Sequence, residues 1–195
     1  MERSAHITRR TRETDISLML SLDGRGESRV ETDIGFFDHM LNSFAKHGLF
    51  DLELKAKGDL EVDCHHTIED VGICLGEAIR EALGDKYGIC RFGDIILPMD
   101  DALVLVALDL GGRPYFHFDC EFETERVGEM DTEMVREFFY AISYSAGMNL
   151  HIKKLDGRNT HHIIEAMFKA FGRALDKAVM VDERREGVPS TKGSL

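Results

Sequence analysis

His65-His66-Thr67-Ile68-Glu69 and His161-His162-Ile163-Ile164-Glu165 are one five-residue pattern, HHxxE, written twice. Registering His65 on His161, an offset of 96 residues, also aligns Gly76 with Gly172, Ala78 with Ala174 and Ala82 with Ala178. The offset is close to half of the 195-residue chain. Self-similarity at a fixed period marks a duplicated unit, here about 1–92 and 93–180, followed by a tail over 181–195.

Working outward, each copy reads as strands followed by helices. AHITRRTR and DISLMLSLD alternate with period two, as half-buried strands do. FFDHMLNSFAKHG carries Phe37, Met40, Leu41 and Phe44 at helical spacing, with Gly48 as its stop. The stretch LFDLELKAKG reads as a strand, and a long helix runs from about His65 to Leu83, ending at Gly84. The second copy repeats the order: strands GDIILP, ALVLVALDL and RPYFHFDCEF, helix TEMVREFFYAISYSAG, strand MNLHIKK, helix THHIIEAMFKAFGRALDKAV. Asp100-Asp101 and Gly111-Gly112 mark turns. The predicted class is α+β, two sheets each with helices packed on one face, the whole forming one compact domain. The tail, REGVPSTKGSL, lacks periodicity and reads as a loose end or a lid.

Composition narrows the function. Hydrophobic residues are 43% and charged residues 31%, the balance of a globular protein, and the net charge of −12 disfavours phosphate backbones as partners. No nucleic-acid partner is expected. Cys64, Cys74, Cys90 and Cys120 form no CxxC pair, so they read as free thiols in a reducing compartment. Neither an apolar signal segment nor a run of about 18 apolar residues is present, which predicts no membrane contact and a cytoplasmic location.

The chemistry sits in the doubled motif. Positions i and i+4 share a helix face, so His65 with Glu69, and His161 with Glu165, can each hold one metal. His66 and His162 lie roughly 100° further round and must point elsewhere. One arrangement uses all six: each metal takes a His–Glu pair from one helix and the single adjacent His from the other. Imidazole with carboxylate suits Mn, Fe or Zn. Surface histidines are the plain alternative, but chance gives them no reason to recur together at repeat-equivalent positions. His39 is the candidate for a further ligand from the first helix. His47 and His151 are weaker candidates, and His6 and His117, in alternating strands, are assigned nothing. A two-metal hydrolase or a metal-storing assembly would carry the same motif.

With these residues in view the chain resembles the imidazoleglycerol-phosphate dehydratase family. The resemblance spans nearly the whole chain: RETDISLML, DIGFFDHML, HGLFDLEL, DCHHTIEDVGICLG, DDALV, LGGRPY, NLHI, NTHHIIEAMFKAFGRAL and VPSTKG. It implies a tandem duplication of a ribosomal-S5-domain-2-like unit, two Mn²⁺ per active site, and a homo-oligomer of twenty-four chains. The implied reaction is dehydration of imidazole glycerol phosphate to imidazole acetol phosphate in histidine biosynthesis. One metal would be held by His39, His66, His161 and Glu165, the other by His65, Glu69, His162 and Glu137, where the family often has His. The resemblance assigns the phosphate to Arg91, Arg113, Lys169, Ser190 and Lys192. It brings His39, His47, His65, Glu69 and His161 to the substrate, and it puts the Glu13 carboxylate there as the group that moves protons. Two Lewis acids on the ring nitrogens make chemical sense, because the C–H to be broken is not next to a carbonyl and the ring must supply the electrons.

Overall fold

The computed structural model describes residues 3–193; Ser194 and Leu195 of the expected tail lie outside them. The first half contains β1 (Ser4–Arg10), β2 (Thr14–Ser21), β3 (Ser28–Glu31), α1 (Gly35–Gly48), β4 (Asp51–Gly58) and α2 (His65–Leu83). Second-half elements are β5 (Phe92–Met99), β6 (Ala102–Asp109), β7 (Tyr115–Asp119), a short hairpin β8 (Arg126–Val127) and β9 (Met130–Asp131), α3 (Glu133–Ala146), β10 (Asn149–Asp156) and α4 (Thr160–Val179).

The two sheets have the same build. Their orders are β1-β2-β4-β3 and β5-β6-β10-β7, and in each the last pair is parallel and the others antiparallel. This is the duplication in three dimensions. The α+β class follows, with the helices on one face of each sheet. In β2, Thr14, Ile16, Leu18 and Leu20 point inward and alternate with exposed residues; in β6, Ala102, Val104, Val106 and Leu108 do the same. Such alternation buries one sheet face and leaves the other outside.

The helices pair across the halves: α1 packs on α4, and α2 on α3. A single core results, drawing on both sheets and all four helices. Its centre is aromatic, with Phe138 stacked on Phe168 at 5.2 Å and Phe44 on Phe171 at 5.4 Å. Small residues set the spacing. A Cβ on Gly172 of α4 would stand 2.5 Å from the Phe44 carbonyl oxygen of α1, and one on Gly72 of α2 would stand 2.9 Å from Ala141 of α3.

Three features depart from the sequence reading. Gly48 is the last helical residue of α1 rather than the residue that ends it; Leu49, at φ 57°, takes the left-handed position. Gly48 is required instead by close approach, since a Cβ there would lie 2.9 Å from the Gly172 carbonyl oxygen. Strand β3 was not expected, because SRVE is too short to show a period. The β8–β9 hairpin has only two residues a side and shows none either.

Candidate functional site

His39 projects from α1 one residue after Asp38. Asp38 is turned inward: its Oδ1 accepts from the Thr32 amide at 3.0 Å and from the Thr32 hydroxyl at 2.6 Å. Burial raises the Asp38 carboxyl above its ordinary value despite those bonds. His39 faces the start of α4, where Nε2 lies 3.6 Å from Glu165 Oε2; His161 Nε2 lies 3.2 Å from the same oxygen. Among the described residues, His39, His161 and Glu165 form the one group of three donors whose ligand atoms all fall within 4.8 Å of one another. Two imidazoles and a carboxylate converging in this way fit a divalent transition metal.

Glu165 is the buried member, with 9% of its side chain exposed. Its other oxygen accepts from Lys169 Nζ, one turn along α4, at 2.8 Å. Burial alone would push the Glu165 carboxyl up; Lys169, His39 and His161 outweigh it and hold the group below its ordinary value. The carboxylate is therefore anionic and aimed at the two imidazoles. Lys169, expected at the substrate phosphate, is spent in this structure on Glu165. Across the α1–α4 contact, burial first, then the charges of Lys169 and Arg173, depress the His47 imidazole.

The first copy of the motif forms a matching corner on α2. His65 Nε2 lies 3.7 Å from Glu69 Oε2. The second histidine of each motif has a partner that the sequence did not reveal. His66 Nδ1 meets Asp59 Oδ2 at 3.0 Å, and His162 Nδ1 meets Asp101 Oδ1 at 2.7 Å. An aspartate on Nδ1 takes up the Nδ1–H and leaves Nε2 with a free lone pair, the arrangement that orients histidines toward metals. The bond to Asp59 raises the His66 imidazole against the effect of burial. Asp101 is itself held by the amides of Asn159 and Arg158, at 3.0 and 2.8 Å. Those two amides, then His162, pull its carboxyl far below the usual range. No common spacing could have pointed to these aspartates, because Asp59 follows β4 whereas Asp101 belongs to the β5–β6 turn.

Two expected neighbours stay apart within one chain. His66 does not join His39, His161 and Glu165, and Glu137 does not join His65 and Glu69. The Glu137 carboxylate instead accepts from Arg136 Nη1 at 2.7 Å. Glu13 sits on the β1–β2 turn, exposed, with Oε2 4.0 Å from His66 Nδ1.

The remaining expected residues meet elsewhere. Arg91, Arg113, Ser190 and Lys192 line an open cavity of about 800 Å³, together with Arg185 and Thr191, which the sequence reading did not single out. Arg91 has a left-handed backbone (φ 72°) and a side chain held at three points. Its Nε and Nη2 donate to Asp109 at 2.6 and 3.0 Å, and Nη1 donates to the Pro189 carbonyl at 2.9 Å. A guanidinium has five N–H groups, so one remains on each terminal nitrogen to meet an anion. The tail is a strap across this end: Gly88 N–H donates to Gly187 O at 2.9 Å, and Ile89 bridges Val181. The cavity lies by the C-terminal end of α4, where Arg91 N–H meets Ala178 O. The histidine cluster is at the other end of the same helix, roughly 25 Å away at 1.5 Å per residue.

The sequence profile of the imidazoleglycerol-phosphate dehydratase family matches residues 32–175. An imidazoleglycerol-phosphate dehydratase of Acetivibrio thermocellus is 63% identical over 195 residues, covering 100% of both chains. One from Geobacillus kaustophilus is 57% identical over the same span. Among solved structures, the Staphylococcus aureus enzyme superposes with a TM-score of 0.84 at 38% identity, over 92% of this chain and 99% of that one. The Pyrococcus furiosus enzyme gives 0.84 at 39% identity, over 97% and 100%.

Proposed function

The chain belongs to the imidazoleglycerol-phosphate dehydratase family, and on that premise we propose how its residues share the work. The reaction is a hydro-lyase step of histidine biosynthesis, the dehydration of imidazole glycerol phosphate to imidazole acetol phosphate. The observation that carries the proposal is the convergence of His39, His161 and the mostly buried Glu165. These three would hold one Mn²⁺ and His65 with Glu69 a second, with His66 and His162, their Nδ1 atoms already occupied, offering Nε2 to complete each set. Glu137 is the proposed last donor of the second set. When bound, the ions would supply Lewis acidity to the imidazole ring of the substrate.

The protein's own groups do the rest. Arg91, Arg113, Ser190 and Lys192 would bind the phosphate through charge-assisted hydrogen bonds, fixing the distance from phosphate to ring. Lys169 keeps Glu165 anionic, and its place beside the metal donors suits it to meet the same phosphate. His39, His47, His65, Glu69 and His161 would surround the ring and the glycerol carbons. Glu13 accepts the carbon-bound proton and passes it to the departing hydroxyl, which leaves as water; it then takes the enol O–H proton and returns it to the carbon that lost the hydroxyl, which gives the ketone, and general acid–base assistance of this kind is worth roughly 10²–10⁴-fold.

A substrate of this size cannot span the roughly 25 Å along α4. In the proposed reading the cavity of one chain serves the donors of another, and this separation supports a homo-oligomer, proposed as the twenty-four-chain assembly. Among the described residues no helix is long and apolar enough to cross a membrane. The phosphorylated, membrane-impermeant substrate supports a cytoplasmic location. The test is removal of divalent metal by chelation, with mass read by light scattering and dehydration by product absorbance. Both the large assembly and turnover are expected to be lost and to return with Mn²⁺. A metal-free enzyme with full activity would refute the proposal.

A further inference from the structure

Glu13 is exposed, and among the described residues no hydrogen bond holds its carboxylate. Its position is set by its backbone, and the backbone is tied to a buried chain of polar groups. Asp70 of α2, next to Glu69, is 7% exposed, and Thr14 of β2 is 4% exposed. Both interrupt apolar faces: the other inward residues of β2 are Ile16, Leu18 and Leu20. Asp70 Oδ1 accepts from Arg9 Nε at 2.9 Å, and Oδ2 accepts from the Thr14 hydroxyl at 2.5 Å. Arg9 is the last but one residue of β1 and Thr14 begins β2, so one carboxylate clamps both sides of the turn that carries Glu13.

The donor count settles the direction of the chain. A hydroxyl has one proton and two lone pairs, and a carboxylate only accepts. The Thr14 proton goes to Asp70. The 3.1 Å contact between the Thr11 and Thr14 hydroxyls must then use the Thr11 proton. That leaves the two lone pairs of Thr11 Oγ1 for two amides, and two amides are there: Glu13 N–H at 3.0 Å and Thr14 N–H at 2.9 Å. Both hydroxyl protons are spent, and no other direction for them satisfies the same groups. The Glu13 backbone is thereby fastened to the helix that carries His66 and Glu69.

We propose that Thr11, Thr14 and Asp70 are positioning residues for the dehydration: their one-way hydroxyl chain holds the Glu13 carboxylate in register with α2. The proposal rests on the reading of Glu13 as the group that moves protons. A proton-transfer group displaced by about 1 Å can cost 10²-fold in rate, so a turn freed from its anchor forfeits turnover without losing its fold.

Thr11 is exposed, so Thr11→Val tests the chain with little risk to folding. In the Mn²⁺-loaded enzyme kcat should fall about 10- to 100-fold, with KM within about threefold and metal content unchanged. Thr11→Ser, which keeps the hydroxyl, should restore most of kcat, and Thr14→Ser should behave likewise beside a defective Thr14→Val. In a Glu13→Gln background Thr11→Val should cost nothing more. A Thr11→Val enzyme with normal kcat, beside a Glu13→Gln enzyme that has lost it, overturns the positioning role and leaves Glu13 standing. Equal losses in both backgrounds, or loss of metal, would make the chain merely structural. If Glu13→Gln itself turns over normally, both readings fall.

Discussion

Replacing Lys169 with Met removes the one fixed cation on Glu165 among the described residues. The ion pair spans 2.8 Å, with 19% of the lysine and 9% of the glutamate side chain exposed. At an effective dielectric of about 20 the attraction across that distance is about 6 kcal/mol. Desolvation of both groups offsets much of it, but Lys169→Met recovers only the lysine's share and strands the carboxylate. Breaking one partner of a buried pair costs about 3–5 kcal/mol. His161 and His39, 3.2 and 3.6 Å from the other oxygen, lower this by taking up part of the charge. We expect about 3 kcal/mol in metal-free protein, a fall of about 1.5 M in the urea midpoint at a slope of about 2 kcal/mol per molar. The assay is urea unfolding at one fixed protein concentration, with Glu165→Gln and the double variant completing a thermodynamic cycle. The double variant should regain at least half of the loss, because no uncompensated charge remains. Mn²⁺ should narrow the gap between Lys169→Met and the parent by giving the carboxylate a cation. A loss below about 1 kcal/mol without metal, or a coupling energy below about 0.5 kcal/mol, would refute the assignment of Lys169 as the counter-ion of Glu165.

The aspartates behind the second histidines make a paired prediction. Asp59→Asn and Asp101→Asn should each weaken Mn²⁺ binding by about 10- to 100-fold, read by titration calorimetry, and unchanged affinity in both would mean that they do not orient His66 and His162. Ending the chain after Gly187 should leave the circular-dichroism spectrum intact, because among the described residues beyond it the tail's hydrogen bond to the body is the one from Arg91 to Pro189. The KM of the shortened enzyme should rise about tenfold to a hundredfold, the cost of losing a charged hydrogen bond of about 1.5–3 kcal/mol; an unchanged KM would make the tail passive.

Several elements are legible in residue order alone. The period-two runs over 5–12 and 15–23 overlap β1 and β2, overrunning each by two residues at its end, and the 3.6-residue rows of Phe37, Met40, Leu41 and Phe44 and Gly84 behind Leu83 correspond to α1 and the end of α2. Local chain geometry writes such patterns directly into residue order. Short pieces such as Ser28–Glu31 stayed hidden because four residues carry no measurable period. Gly48 was misread because a glycine serves both a left-handed turn and a close helix crossing, and only the position of Gly172 separates the two uses.

The same division runs through the site. The sequence by itself determined that each histidine–glutamate pair shares a helix face and that the adjacent histidine points away, because these follow from helical periodicity, and that the unit occurs twice, because the motif recurs at a fixed offset. Only the tertiary structure decided that His39 of one half meets His161 and Glu165 of the other, since this depends on the pairing of α1 with α4 across the repeat. It also decided that Asp59 and Asp101 close on the Nδ1 atoms of His66 and His162 from unrelated loops, and that Lys169 lies on Glu165. Most telling is that the cavity of Arg91 and Ser190 lies far from the histidine cluster of the same chain. Residue order reports which side chains share a face. Distance between faces is set by packing, and no spacing along the chain encodes it.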